Sequence, residues 1–279
     1  MQFTLVIQNK YGQLDLTTNE NFILTDIDGM TQSDVTITAQ TMPLADGSTV
    51  TDAQTKPRSM VLYLTMKDGV NIEEAKRNIF AVVKPKQEST LRYKHNGRDL
   101  TITGTVESIT MARFTRQVVM QIKLYCGYPY WQDARTIIEN ISRVLALHHF
   151  ELTITAAKPI VFGKIGAQMT RTLYNAGDVA TGLQITFVAA GDISNPRLER
   201  ASDGAYFQIN TTMERGDKIV INTTKGHKSV KKNDVNIINL VAQGSTWFQM
   251  NVGQEEFTTV EAGGSELLHT YFEFKRAFI

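Results

Sequence analysis

The chain has 279 residues, 42% of them hydrophobic and 20% charged, with a formal net charge of +1. At about 100–200 residues per domain, that length favours two domains, each able to bury a core without a covalent staple. A near-neutral balance creates no long-range field for a polyanion, so generic nucleic-acid binding gains no support. The single cysteine, Cys126, excludes an intrachain disulfide and fits folding in a reducing compartment. No apolar run reaches the roughly 18 residues of a membrane-spanning helix. The N-terminal MQFTLVIQNKYGQ lacks the basic start and apolar core of a signal peptide, so synthesis in the cytoplasm is expected. The Asn-x-Ser/Thr triplets at Asn140, Asn210 and Asn222 are then incidental.

Period-2 alternation dominates the first half, as in strands with one face on a core. It runs through Phe3, Leu5 and Ile7, then Met60, Leu62, Leu64 and Met66. Leu100, Ile102 and Val106 continue it, with Gly104 as a weak point, and Val118, Met120, Ile122, Leu124 and Cys126 show it most clearly. Residues 40–58 (QTMPLADGSTVTDAQTKPR) carry little apolar periodicity and read as a long loop or an extended arm. One helix is predicted over 71–84. Asn71 caps it, Glu74 holds the capping-box position, and Ile72, Ala75, Ile79 and Val83 share a face. Pro85 stops it.

Around 133–165 the pattern changes. Asp133 is placed to cap a short helix bearing Ile137, Ile138, Ile141, Val144 and Leu145, and Leu152–Thr155 reads as extended. The module junction is set at 133–150, between an N-terminal domain over 1–132 and a C-terminal β-sandwich over 151–279. The second half is strand after strand: Leu183, Ile185 and Phe187 alternate, as do Phe207 and Ile209, Ile219 and Ile221, Trp247 and Gln249, and Tyr271 and Glu273. Turn signals separate them, among them Gly191-Asp192, Asp203-Gly204, Gly216-Asp217, Lys225-Gly226 and Gly263-Gly264, a spacing that suits a sandwich or jelly roll. The expected fold class is mainly β.

Candidate chemistry fails at named positions. Lys225-Gly226-His227-Lys228-Ser229 resembles the end of a phosphate-binding loop, but Asn222 stands where the first glycine is needed, so a β-turn between Ile221 and Val230 is expected. Asp26-Ile27-Asp28-Gly29 resembles part of a calcium loop, yet Leu24 and Val35 fill the first and last ligand positions, which favours an Asx-type turn. His148 and His149 are adjacent and diverge in either a strand or a helix, so they do not aim at one metal. Cys126 on an alternating apolar strand reads as a buried, inert thiol. Glu255 and Glu256 flank a predicted turn, and nothing singles them out for glycoside chemistry. No catalytic, metal-binding or cofactor-binding residue is nominated, and no cofactor and no enzymatic activity are expected. Of the aromatic clusters, Tyr128, Tyr130 and Trp131 close the first module. Trp247 beside Phe248 is the one candidate for stacking on a sugar, against the commoner role of core packing.

The order of parts resembles a known family. FILTDIDGMTQSDVTITAQTMPLADGS precedes an alternating strand, then NIEEAKRNIFAVV, then a strand ending LYCGYPYW. The second half carries YNAGDVATGLQITF, ISNPRL, GAYFQINTTMERGDKIVINTTKG and STWFQMNVG. This ensemble is similar to the distal tail protein (Dit) family of long-tailed, siphovirus-type bacteriophages and prophages. The resemblance implies an N-terminal β domain with one helix that builds a ring, typically a hexamer, around a channel for DNA in transit. It implies a galectin-like C-terminal β-sandwich on the outside. The subunit would be a virion structural protein at the distal end of the tail, in a baseplate serving host attachment. It would join the tail tube protein to a tail-associated lysin or spike, and to receptor-binding or tape-measure proteins, with no membrane insertion. By position, 40–58 would be an arm between neighbouring subunits. The length leaves no room for an inserted carbohydrate-binding module. The alternative reading is a carbohydrate-binding adhesin working through the C-terminal sandwich and Trp247.

Overall fold

The computed structural model describes residues 3–31, 34–42, 46–112, 117–141, 144–146, 163–165, 169–260 and 267–279. His148, His149, the segment Leu152–Thr155 and the Gly263-Gly264 turn lie outside the described residues. The protein is mainly β, with one α-helix among the described residues. It forms two compact units, one of residues 1–135 with 277–279, the other of residues 136–276.

The first unit contains β1 (Thr4–Asn9), β2 (Gly12–Asp15), β3 (Phe22–Asp28), β4 (Val35–Thr41), β5 (Ser48–Thr55) and β6 (Arg58–Met66). Helix α1 (Ile72–Val82) follows, then β7 (Glu88–His95), β8 (Arg98–Ala112), β9 (Val119–Cys126) and β10 (Trp131–Asp133). The main sheet runs β2-β1-β7-β8-β9-β6-β3, all antiparallel, so β2 and β3 are its edge strands. β10 pairs with β8 and with the C-terminal strand Ala277–Phe278. The alternating residues of β6 and β9 meet in register, Met60 with Leu124, Leu62 with Ile122 and Leu64 with Met120, and all are buried. Cross-strand pairs on one face are the unit of sheet stability. Gly104 is not a weak point but a requirement of close packing, because a Cβ there would lie 2.7 Å from the Cys126 Sγ.

The Asn71 side chain caps α1 by accepting from the backbone N–H groups of Glu73 and Glu74 at 3.2 and 3.3 Å. The helix buries Ala75 and Ile79, and Val83 just beyond its end is also buried. Ile72, expected on the same face, is 39% exposed. Within residues 40–58, expected as a long loop or an extended arm, 48–55 are strand, which departs from a loop and is compatible with an arm. This strand, β5, pairs with β4 as a separate two-stranded ribbon.

The second unit begins with β11 (Ile137–Asn140), β12 (Val144–Ala146), β13 (Gly163–Ile165), β14 (Met169–Asn175), β15 (Thr181–Gly182) and β16 (Gln184–Ala189). It continues with β17 (Ile193–Ser194), β18 (Arg197–Arg200), β19 (Tyr206–Gln208), β20 (Thr212–Met213) and β21 (Lys218–Asn222). Last come β22 (Ser229–Lys232), β23 (Val235–Asn236), a 3-10 turn (Ile238–Leu240), β24 (Gln249–Met250), β25 (Gly253–Val260) and β26 (Leu268–Phe274), while β27 (Ala277–Phe278) is the strand of the first unit already described. A six-stranded sheet, β11-β26-β16-β21-β22-β23, and a four-stranded sheet, β14-β25-β18-β19, share one core. Phe187, Phe207, Phe248, Phe257 and Phe272 fill that core. The helix predicted from Asp133 is replaced by strand: Ile137 pairs with Phe274 and Glu139 with Phe272. β-branched Ile137 and Ile138 suit a pleated edge, and tertiary pairing decides against the helix. Near β24 and in β26 the alternation expected from the sequence is present, and the structure sets its phase. Phe248, Met250, Leu268, Phe272 and Phe274 are buried, while Trp247, Gln249, Tyr271 and Glu273 are partly exposed.

Candidate assembly surface

The ribbon β4–β5 is the most unusual surface of the first unit. Its register sets Val35, Ile37 and Ala39 opposite Thr55, Ala53 and Val50 on one face. Thr36, Thr38 and Gln40 lie opposite Gln54, Asp52 and Thr49 on the other. One face is thus apolar and the other polar, the pattern of a sheet that buries one side. Yet Val35, Ile37 and Val50 are 47%, 63% and 59% exposed. An isolated two-stranded hairpin is marginal in water, and this one leaves its apolar face uncovered.

The root of the ribbon is held by named contacts. The Lys56 N–H donates to the Asp34 carbonyl at 2.8 Å. Thr55 Oγ1 and the Tyr130 hydroxyl share a hydrogen bond of 2.9 Å, and Tyr128 stands edge-on to Tyr130 at 5.4 Å. Thr55 belongs to the apolar face, so that face continues at its base into two tyrosines, of which Tyr128 is exposed. Beneath them the Arg58 guanidinium is buried and donates to the carbonyls of Gly29 and Met30, the latter at 2.9 Å. Trp131, in the core, donates its Nε1–H to the same Met30 carbonyl at 3.1 Å. Burial holds the Arg58 pKa below its ordinary value. Gly29 ends β3 with φ of +79°, and a Cβ there would lie 2.1 Å from the Ser59 carbonyl oxygen. Only glycine fits the turn that leads into the ribbon.

The residues singled out for chemistry fall elsewhere. Cys126 is buried, and burial pushes its thiol up to about 11 against the pull of Arg58, so it is neutral and unreactive. Asp26 and Asp28 lie on edge strand β3 rather than in a calcium loop, and Asp28 accepts from the Tyr63 hydroxyl at 2.8 Å. Lys225–Lys228 form the turn between β21 and β22, with Gly226 at φ of +82°. Glu255 and Glu256 lie inside β25 and do not flank a turn. Glu255 points inward to Asn251 and Arg200, because alternation along β25 puts it on the core side with Phe257. Trp247 is partly buried, edge-on to Phe207 at 5.0 Å, with the Lys228 Nζ 5.2 Å from its ring. Among the described residues no group of three or more His, Cys, Asp or Glu side chains is placed to hold a metal. Sequence reasoning missed the apolar face of the ribbon, although its signal, Val35-Thr-Ile37-Thr-Ala39, alternates in the chain.

Comparison with known proteins gives one partial family match and several likenesses of fold. Residues 176–276 match the family model of the siphovirus-type tail component, C-terminal domain. The whole chain matches the crystal structure of phage SPP1 Dit, described as a paradigm of the hub adsorption apparatus in phages infecting Gram-positive bacteria. The TM-score is 0.73 at 12% identity, covering 100% of both chains. The phage P2 baseplate in its activated conformation matches with calcium at TM-score 0.53 and 12% identity, over 99% of this chain and 98% of that one. The same baseplate with strontium matches at 0.53 and 11% over the same shares. No curated protein sequence matches the chain. Residues 176–276 therefore resemble the C-terminal domain of the siphovirus-type tail component, and the chain as a whole shares the fold of SPP1 Dit.

Proposed function

We propose that this protein is a structural hub at the distal end of a phage tail, where copies close into a ring, expected to be hexameric. The ring joins the tail tube to the tail-tip lysin and receptor-binding proteins and leaves a channel for DNA. The observation that carries the reading is the ribbon β4–β5, whose apolar face has no cover among the described residues. A second copy is the simplest cover, because pairing or packing in a closed assembly removes exposed edges and apolar faces together. The fold likeness to a hub protein and to a baseplate over nearly the full chain supports the same role.

Native mass spectrometry of the purified chain, alone and with its tail partners, tests this. A closed oligomer is expected, together with its loss in an Ile37→Asp, Val50→Asp variant whose far-UV spectrum is unchanged. A chain that stays monomeric with every partner overturns it. Use of Trp247 as a platform for a wall polysaccharide remains a separate proposal, since part of its indole is exposed. Titration of wall glycans against Trp247→Ala decides it, and equal responses from both chains refute it.

A further inference from the structure

One corner of the main sheet of the first unit is basic and the opposite edge strand is acidic; β2 itself ends in Asp15, whose carboxylate is engaged by Thr17 and Thr18. At one edge, the turn between β1 and β2 presents Lys10 and Tyr11, and Tyr11 is 49% exposed. Lys84, just past the end of α1, sets its Nζ 3.9 Å from the centre of the Tyr11 ring, and the Lys10 Nζ is 5.1 Å from it. Lys86 is exposed two residues on. None of these three lysines makes an ion pair among the described residues. At the other edge, β3 exposes Asp26 and Asp28, and neither carboxylate makes an ion pair among the described residues. In the sheet order these edges are separated by every other strand of the path.

A chain with one basic edge and one acidic edge on the same sheet is complementary to itself head to tail, not face to face. Such a heterologous contact generates a ring when the rotation closes. Charges placed this way steer encounter and fix register more than they add affinity. They also oppose the wrong pairings, basic edge on basic edge and acidic edge on acidic edge.

We propose that the Lys10–Tyr11–Lys84 cluster of one copy docks on the Asp26–Asp28 edge of the next, setting the direction of assembly while the apolar ribbon supplies the buried contact. This rests on the self-association proposed above. The test is charge reversal followed by native mass spectrometry and light scattering. Lys10→Glu with Lys84→Glu, or Asp26→Lys with Asp28→Lys, should raise the concentration needed for half-assembly at least about tenfold. The chain carrying all four substitutions should recover assembly, and so should an equimolar mixture of the two double variants. Wild-type assembly should weaken from about 0.1 M to about 1 M salt, as the screening length falls from about 10 Å to about 3 Å. If the wild type assembles and neither reversal affects it, or the fourfold variant stays apart, this inference fails while the hub reading stands. If the wild type never assembles, both fail together.

Discussion

β4 and β6 are short strands with the same alternating apolar pattern, separated in the chain by one strand. In β6, Met60, Leu62 and Leu64 are fully buried. In β4, Val35 and Ile37 are about half exposed or more. The difference is not propensity, since both carry β-branched or long apolar residues at every second position. It lies in what stands opposite. β6 has β3 on one side and β9 on the other, with a core beneath, whereas among the described residues β4 pairs with β5 alone. Alternation therefore tells which face wants cover, and leaves open whether that cover comes from the same chain.

The largest effect expected is at the buried strand. Leu62→Ala should destabilise the chain by about 2–5 kcal/mol through lost burial and a cavity. Ile37→Ala should change the stability of the unassembled chain by no more than about 0.5 kcal/mol. Urea unfolding of both variants checks this, and a large cost for Ile37→Ala would show that the ribbon is covered within the monomer.

Next is Gly29→Ala at the entry to the ribbon. The left-handed conformation alone costs about 1–3 kcal/mol, and the Ser59 carbonyl leaves no room for the added methyl. A lowered urea midpoint is expected. An unchanged one would mean the turn rearranges freely and the ribbon has no fixed root.

A smaller effect is expected for Tyr130→Phe, which removes the hydroxyl bonded to Thr55 and should cost about 0.5–1.5 kcal/mol. Hydrogen exchange should quicken in β4 and β5 and stay unchanged in β6 and β9. Equal change in all four strands would erase the contrast between ribbon and core.

The smallest effect is a control in the second unit, where turns are pinned by charge. Hydrogen bonds from Arg200 and the Ala205 N–H hold the Asp203 carboxyl at about 2, below the usual 3.8. Lys232, the Glu214 N–H and Asn233 do the same for Asp217. A carboxylate lowered by folding contributes stability above its unfolded value and loses that contribution as the pH falls through its folded value. The contribution is therefore complete above about pH 4 and lost towards pH 2. Thermal unfolding of Asp203→Asn and Asp217→Asn should show a flatter pH dependence in that window than the parent. The ribbon variants should leave the slope unchanged.

Much of the fold was legible in the chain because local rules and tertiary structure agree there. The strands around Leu62, Ile102 and Ile122, the Asn71 cap and the buried thiol of Cys126 all follow from period and type. Where they disagreed, a partner strand decided. Ile137 and Ile138 fit a helix by spacing, but Phe272 and Phe274 draw their segment onto a sheet edge. Of the adjacent aromatics Trp247 and Phe248, and Tyr271 and Phe272, the chain left open which is core, and strand pairing turns Phe248 and Phe272 inward. The assembly surface was less legible, because exposure is a property of neighbours rather than of a residue.

By itself the sequence determined that this is a β-rich protein with a capped helix and without an intrachain disulfide. These follow from side-chain period, turn chemistry and the single thiol, all local properties of the chain. Only the tertiary structure decided that 48–55 pairs with 35–41 in a ribbon with one apolar face, that Gly104 and Gly29 are fixed by close approach of neighbouring atoms, and that the Lys10–Lys84 corner and the Asp26–Asp28 strand sit on opposite edges of one sheet. Each of these depends on which strands become neighbours, and strand pairing joins residues far apart in sequence.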